Sequence, residues 1–282
     1  MKRAAALLLV LLAGCATAPE PAAPARRNAD TLNARGVELH RAGDMAGAAR
    51  LFEQAQVQSQ AIEYEDGIAQ SLLNLARTRQ AQGQAGEADA VLARMLGGVP
   101  LAYSAARRAE ALAQRTVLAL ARGDGPAAAR WQADALQACG KDCALQATLL
   151  NLGARIAFER GDAPDARRQA EAALAQHRAA RNRIETANAL RLIGAAALAQ
   201  GDRQAAGQAL EEALAIDKAL AHSDKIFQDL VLLGHAADAP GRRAYWQRAL
   251  QVAGAAGMRR EQAELQARLD TDPSSSPSTT SP

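Results

Sequence analysis

The fold is decided by the stretch Thr186 to Leu220, TANALRLIGAAALAQGDRQAAGQALEEALAIDKAL. It reads as two alanine-rich amphipathic helices separated by Gly201-Asp202. Gly194 is a small residue in the first helix and Gly201 ends that helix, while Ala206, Leu210 and Ala213 share one face of the second. Stepping back by forty residues or slightly fewer, the unit recurs in register. The small site reads Gly194, Ala154, Thr116, Ala76, Gly36, and the turn reads Gly201, Gly161, Gly123, Gly83, Gly43. The second helix carries Ala206, Ala166, Ala128, Ala88, Ala48, then Leu210, Ala170, Gln132, Leu92, Phe52, then Ala213, Ala173, Ala135, Met95, Ala55. Five matches exclude accident, and the chain reads as an all-α solenoid of helical hairpins.

Small residue, helix-ending Gly, Ala, large apolar and Ala at these offsets resemble the tetratricopeptide repeat. The spacing near forty is similar to its longer-helix variety. The resemblance covers roughly residues 29 to 256; Thr116 and Gln132 depart from it in the third repeat. It implies a right-handed superhelix of five to six hairpins, a concave groove lined by first helices, and a protein or peptide ligand.

The unit makes physical sense by itself. The residue ending each first helix must turn left-handed, which Gly does without steric cost. Asp44, Asp124, Asp162 and Asp202 follow that Gly, where a carboxylate caps the next helix for about 1 kcal/mol. Pro126 and Pro164 stand in first turns that need no N–H from them. A lone hairpin cannot bury its apolar stripe, so neighbours must supply stability.

The repeats are expected at approximately 29–62, 69–102, 109–142, 147–180 and 187–220. A degenerate sixth hairpin is expected over Ile226 to Ala236 and Arg242 to Ala256, with Pro240-Gly241 at its turn. The charged stretch Met258 to Leu269 suits a capping helix, and residues 29–270 form one solenoid domain. The segment 271–282, TDPSSSPSTTSP, has nothing apolar to bury and is expected to be disordered.

Ahead of the repeats, residues 1–14 read as a signal peptide: Met1-Lys2-Arg3, the apolar run Ala4 to Ala13, then Gly14. Leu12-Ala13-Gly14-Cys15 resembles the bacterial lipobox, which implies lipidation of Cys15. Ala16 behind it resembles the lipoproteins passed to the outer membrane. That places the mature chain on the periplasmic side of the outer membrane, anchored by acyl chains rather than spanning. Residues 15–28 then form the lipidated Cys and a Pro- and Ala-rich tether, reaching roughly 40 Å at about 3.1 Å per residue.

Composition narrows the function. Nearly half of the residues, 49%, are apolar but only 3% are aromatic, because Ala dominates, so the core should be thin and close-packed. The net charge of +3 gives no reason to expect nucleic acid. No nucleophile elbow, phosphate-binding Gly loop or zinc-protease helix occurs, and the four His are scattered, each near a helix end or exposed face. We therefore expect no catalysis, metal, cofactor or small-molecule substrate. Cys139 and Cys143, with Gly140 between them, read as a structural disulfide between the third and fourth repeats; a redox or metal site is the alternative.

The resemblance places the positions three before and one after each small site on the concave face. These read Asn33 and Val37, Leu73 and Arg77, Ala113 and Val117, Asn151 and Arg155, Arg191 and Ala195, with Asn74 and Asn188 adjoining. Asn can hydrogen-bond a peptide backbone from both sides of its amide, and Arg can clamp a carboxylate. Asn33, Asn74, Arg77, Asn151, Arg155, Asn188 and Arg191 are thus candidates for a peptide groove, with the three arginines not required for packing. A merely solvated polar face is the competing interpretation. The function expected is an outer-membrane scaffold holding a protein or extended peptide for an envelope assembly machine. Alternatives are a regulatory activator of a cell-wall enzyme, or a ligand-binding protein with a cavity inside the superhelix.

Overall fold

The structure, a computed structural model, describes residues 23–97, 103–141 and 143–271. The expected signal segment 1–14, Cys15, the first part of the tether and the tail from residue 272 lie outside the described residues.

Alternating stripes of small and large apolar residues dictate antiparallel helix pairs, and six pairs form. They are α1 (Pro24–Arg41) with α2 (Met45–Ala61), α3 (Glu65–Ala81) with α4 (Ala85–Leu96), and α5 (Ala105–Ala121) with α6 (Gly125–Cys139). Then come α7 (Gln146–Glu159) with α8 (Ala163–Ala179), α9 (Arg183–Ala199) with α10 (Arg203–Leu220), and α11 (Ser223–Ala236) with α12 (Ala239–Ala255). A last helix, α13 (Arg259–Thr271), lays Leu265 and Leu269 on the end of the stack. Each helix packs on its neighbours in sequence, and each odd-numbered helix from α1 to α9 also touches the next odd-numbered one. The odd-numbered helices therefore share one face. The first helix begins at Pro24, so five residues assigned above to the tether are helical; Pro at the helix start needs no N–H partner.

Turn chemistry inside the hairpins follows the sequence expectation. Gly43, Gly83, Gly123, Gly161 and Gly201 all have φ between 71° and 86°, left-handed backbone that a Cβ resists. Asp44, Asp124, Asp162 and Asp202 each accept a hydrogen bond from the backbone N–H three residues on, at 2.8–3.0 Å. In the sixth hairpin the turn itself is extended at Ala237, and Asp238 rather than the Pro-Gly pair provides the cap, accepting from the Gly241 N–H at 3.0 Å.

At three junctions between hairpins the chain also turns left-handed, but without Gly. Glu63, Arg181 and Ala221 have φ of 50°, 54° and 57°.

The crossing points are small-into-large contacts. A Cβ on Gly36 would come within 2.5 Å of the Phe52 ring, and one on Gly194 within 2.5 Å of Leu210, so these glycines are holes for those knobs. Gly234 is the same hole for Trp246, whose indole N–H donates to the Val231 carbonyl at 3.1 Å. Among the buried apolar residues Ala outnumbers all other types together, so helices meet nearly backbone to backbone. The weak third repeat is repaired by polar bonds: Thr116 Oγ1 donates to the Leu112 carbonyl and Gln132 Nε2 reaches the Leu149 carbonyl of the next hairpin. At that same junction Cys139 and Cys143 are disulfide-bonded, with Cα atoms 5.2 Å apart and Gly140 at φ 70°.

Candidate functional groove

Because the odd-numbered helices share a face, their side chains converge on a groove of about 700 Å³ running from α3 to α11. Its floor is apolar, built from Ala113 and Val117 on α5, Leu152 and Phe158 on α7, Leu192 and Ala195 on α9, and Leu232 on α11. Phe158 leaves 36% of its surface open to water, unusual in a chain with three Phe. Burying such a ring on binding contributes about 1.5–3 kcal/mol.

The seven polar candidates divide. Asn33 is buried and does not line the groove; its Nδ2 donates to Ser71 Oγ at 3.0 Å, and the Ser71 hydroxyl donates in turn to the Gly67 carbonyl at 2.8 Å. Asn74 is likewise buried, its Oδ1 accepting from Gln70 Nε2 and Arg77 Nη1. Asn151 reaches the groove but is committed to the next hairpin: Nδ2 donates to the Glu185 carbonyl at 3.3 Å and to Glu185 Oε2 at 3.0 Å. Asn33 and Asn151 tie first helices together, and Asn74 bonds only within α3. Asn188 does face the groove, with Oδ1 accepting from Arg191 Nη1 at 3.0 Å and no acceptor for its Nδ2 among the described residues.

The arginines are equally unlike one another. Arg155 lines the groove but pairs with Glu159 on the next turn of its own helix at 3.0 Å. Arg191 is nearly enclosed, at 11% side-chain exposure, and bridges two buried carboxylates, Asp217 on α10 and, at 2.6 Å, Asp229 on α11. The expectation that packing does not require Arg191 is therefore corrected: it is the centre of a buried ion cluster, whose Asp217 also lies 3.4 Å from His222. Burial pushes Asp229 up to about 6 against the pull of Arg191, and the adjacent Asp217 adds to the rise. Its Oδ2 has no hydrogen-bond partner. Another departure from the sequence reading is His177, which is buried in α8, and burial lowers its pKa.

Arg77 is different again. It is open to water but sits within the concavity, where desolvation lowers its pKa, Glu110 opposes that shift and Arg107 adds to it. With the Gln114 amide turned so that its nitrogen donates to the Leu73 carbonyl, its oxygen accepts from Arg77 Nε and Nη2 at 3.1 and 3.2 Å. Among the described residues no carboxylate lies within ion-pair distance of Arg77.

Reasoning from the sequence placed Ala113, Val117 and Ala195 on the concave face but missed the larger floor residues, because Leu152, Phe158 and Leu192 share the helical periodicity of core residues. It also passed over Glu185. The available signal was an aromatic, Phe158, three residues before a helix-ending Gly. Among the described residues no group of three or more His, Cys, Asp or Glu is placed to hold a metal, and no helix is long and apolar enough to cross a membrane.

A tetratricopeptide-repeat family model matches residues 145–219. No curated protein matches the chain. Solved structures do. A chain of the APC/C hetero-tetramer Cut9-Hcn1 superposes with TM-score 0.61 at 14% identity over 80% of this chain, which spans only 40% of that one. BtubC (BKLC) from P. vanneervenii gives 0.54 at 19% identity, covering 84% of this chain and 93% of its own. A P. anserina protein with nearly identical TPR-like repeats gives 0.51 at 19% identity, covering 71% and 99%. At such identities the likeness concerns the fold alone. The family match falls on α7 to α10, the fourth and fifth hairpins of the stack, and the chain has the fold of a tetratricopeptide-repeat solenoid.

Proposed function

We propose that the chain is a non-catalytic scaffold that holds a protein or extended peptide segment in the groove of its odd-numbered helices. The observation that carries this reading is the apolar floor, on which Phe158 is open to water. An exposed aromatic in a concavity is the kind of anchor that interfaces use. The lipobox-like Leu12-Ala13-Gly14-Cys15 supports carriage on the periplasmic face of the outer membrane, where the scaffold would serve an envelope assembly machine.

In-cell crosslinking followed by mass spectrometry of the recovered partners tests the reading. Phe158→Asp should reduce recovery more than about tenfold, since a carboxylate cannot enter a desolvated contact without loss. Val57→Asp is the control, because Val57 is 63% exposed on α2 and lies outside the groove. If both variants lose partners equally, or only the control does, the groove is not the docking face. Cys15→Ser should abolish palmitate labelling; labelling that persists would remove the membrane part of the reading.

A further inference from the structure

Seven charged side chains line the groove: Arg77, Glu110, Arg155, Glu159, Glu185, Arg191 and Lys225. Five have ion-pair partners within the protein. Glu110 is held by Arg107 at 3.1 Å, Arg155 and Glu159 hold each other at 3.0 Å, Arg191 bridges Asp217 and Asp229, and Lys225 lies 3.6 Å from Asp224. Arg77 and Glu185 remain. Arg77 bonds only amide oxygens, while Glu185 takes the Asn151 amide on Oε2 and has no cation within ion-pair distance among the described residues. One stands on α3, just after the small site Ala76, and the other in the first turn of α9, and both open on the groove that Val117, Leu152, Phe158 and Leu192 line.

We infer that the groove selects a dipolar segment: an extended peptide carrying one acidic and one basic residue about eight to ten positions apart, with apolar side chains between. The inference rests on the groove reading above. The acid meets Arg77, the base meets Glu185, and the apolar residues cover the floor. The spacing follows from geometry. From α3 through α5 and α7 to α9 is three helix-to-helix steps, about 24–30 Å at 8–10 Å each, and the difference in register adds about 15 Å along the helix axes, about 28–34 Å in all. An extended chain covers that in about eight to ten residues at roughly 3.3 Å apiece. Alternate side chains of an extended segment point the same way, so every second residue should be apolar. A uniformly acidic segment does not fit, because it would set a carboxylate against Glu185.

Fluorescence anisotropy with four labelled nonapeptides tests this on the full-length processed protein. All have the same alternating Leu/Ser interior and capped ends; the terminal pairs are Asp and Lys, Asp and Asp, Lys and Lys, or Asn and Gln. The Asp and Lys peptide should bind about tenfold more tightly than the others at low ionic strength, a gap that salt narrows. Glu185→Lys should transfer the preference to the doubly acidic peptide, and Arg77→Glu to the doubly basic one. Glu185→Gln and Arg77→Gln, milder changes, should reduce discrimination without reversing it. Four peptides binding alike, or a preference untouched by both reversals, would overturn the inference. If binding is equal but lost in Phe158→Asp, the groove reading stands and only the charge pairing is wrong. If no peptide binds, the inference fails and crosslinking alone decides the groove.

Discussion

Asn33 and Arg191 occupy the same register, three residues before a small site, and each reaches a partner 38 residues ahead on the next odd-numbered helix. At the N-terminal end the rung is Asn33 with Ser71, neutral, the amide donating to the hydroxyl. Toward the C-terminal end it is Arg191 with Asp229, joined by Asp217 from α10. The two rungs hold successive hairpins at the same place by different chemistry. A neutral rung loses one hydrogen bond when it is broken. An ionic rung leaves buried charge behind, and its extra carboxylate couples it to pH. The repeat thus fixes where a cross-link stands and leaves its character free.

Deleting each rung should expose that difference most strongly. Arg191→Ala strands Asp217 and Asp229 and should destabilise by about 3–5 kcal/mol, whereas Asn33→Ala should cost about 1 kcal/mol. Urea unfolding followed by circular dichroism measures both. Replacing Arg191, Asp217 and Asp229 together by Leu should recover most of the loss, because the desolvation burden goes with the charges. Equal effects from the two single changes would end the comparison.

Filling the holes tests whether the two ends pack alike. Gly36→Ala and Gly194→Ala should each destabilise by about 1–3 kcal/mol, the first more, since the Phe52 ring yields less readily than the branched tip of Leu210. Gly207→Ala, with nothing within 4 Å of its added methyl, should be neutral or stabilise by a few tenths of a kcal/mol.

The pH dependence belongs to the ionic rung alone. Asp229 is held at about 6 in the fold, above its unfolded value, so it binds its proton more tightly when folded. Its contribution is full below the unfolded value of 3.8 and disappears as pH rises through about 6. The stability difference between Asp229→Asn and the native chain should therefore shift in favour of the variant over that window, by up to about 3 kcal/mol. Asn33→Ala should show no such window.

A smaller effect is expected at the turns between hairpins. Ala221 is left-handed without being Gly, so Ala221→Gly should stabilise by about 1 kcal/mol, less what the freer unfolded chain takes back. Gly201→Val reverses the situation, at φ 79°, and should destabilise by more than about 1 kcal/mol. Thermal melts of the pair establish the sign.

The turns inside hairpins, the Asp caps and the crossing residues were legible in the sequence because each is a local matter, settled within a few residues by backbone sterics. The turns at Glu63, Arg181 and Ala221 were not, since no residue type advertises a left-handed angle there. The groove was half legible. Periodicity places Asn33, Asn151 and Arg191 on the right helices, but whether an amide or guanidinium faces a ligand depends on a partner one or more helices away. Ser71, Glu185 and Asp229 engage those groups, and nothing near them in the chain announces it. Arg77 remained available because its equivalent partner does not exist.

The predominance of Ala at the buried positions has a calorimetric consequence. Unfolding raises the heat capacity chiefly by exposing apolar surface, typically about 12–15 cal/mol/K per residue. A buried methyl exposes little surface when released, so this chain should fall below that range. A small heat-capacity change flattens the curve of stability against temperature. The solenoid should then hold nearly the same free energy in the cold as in the warm, with both denaturation temperatures pushed apart.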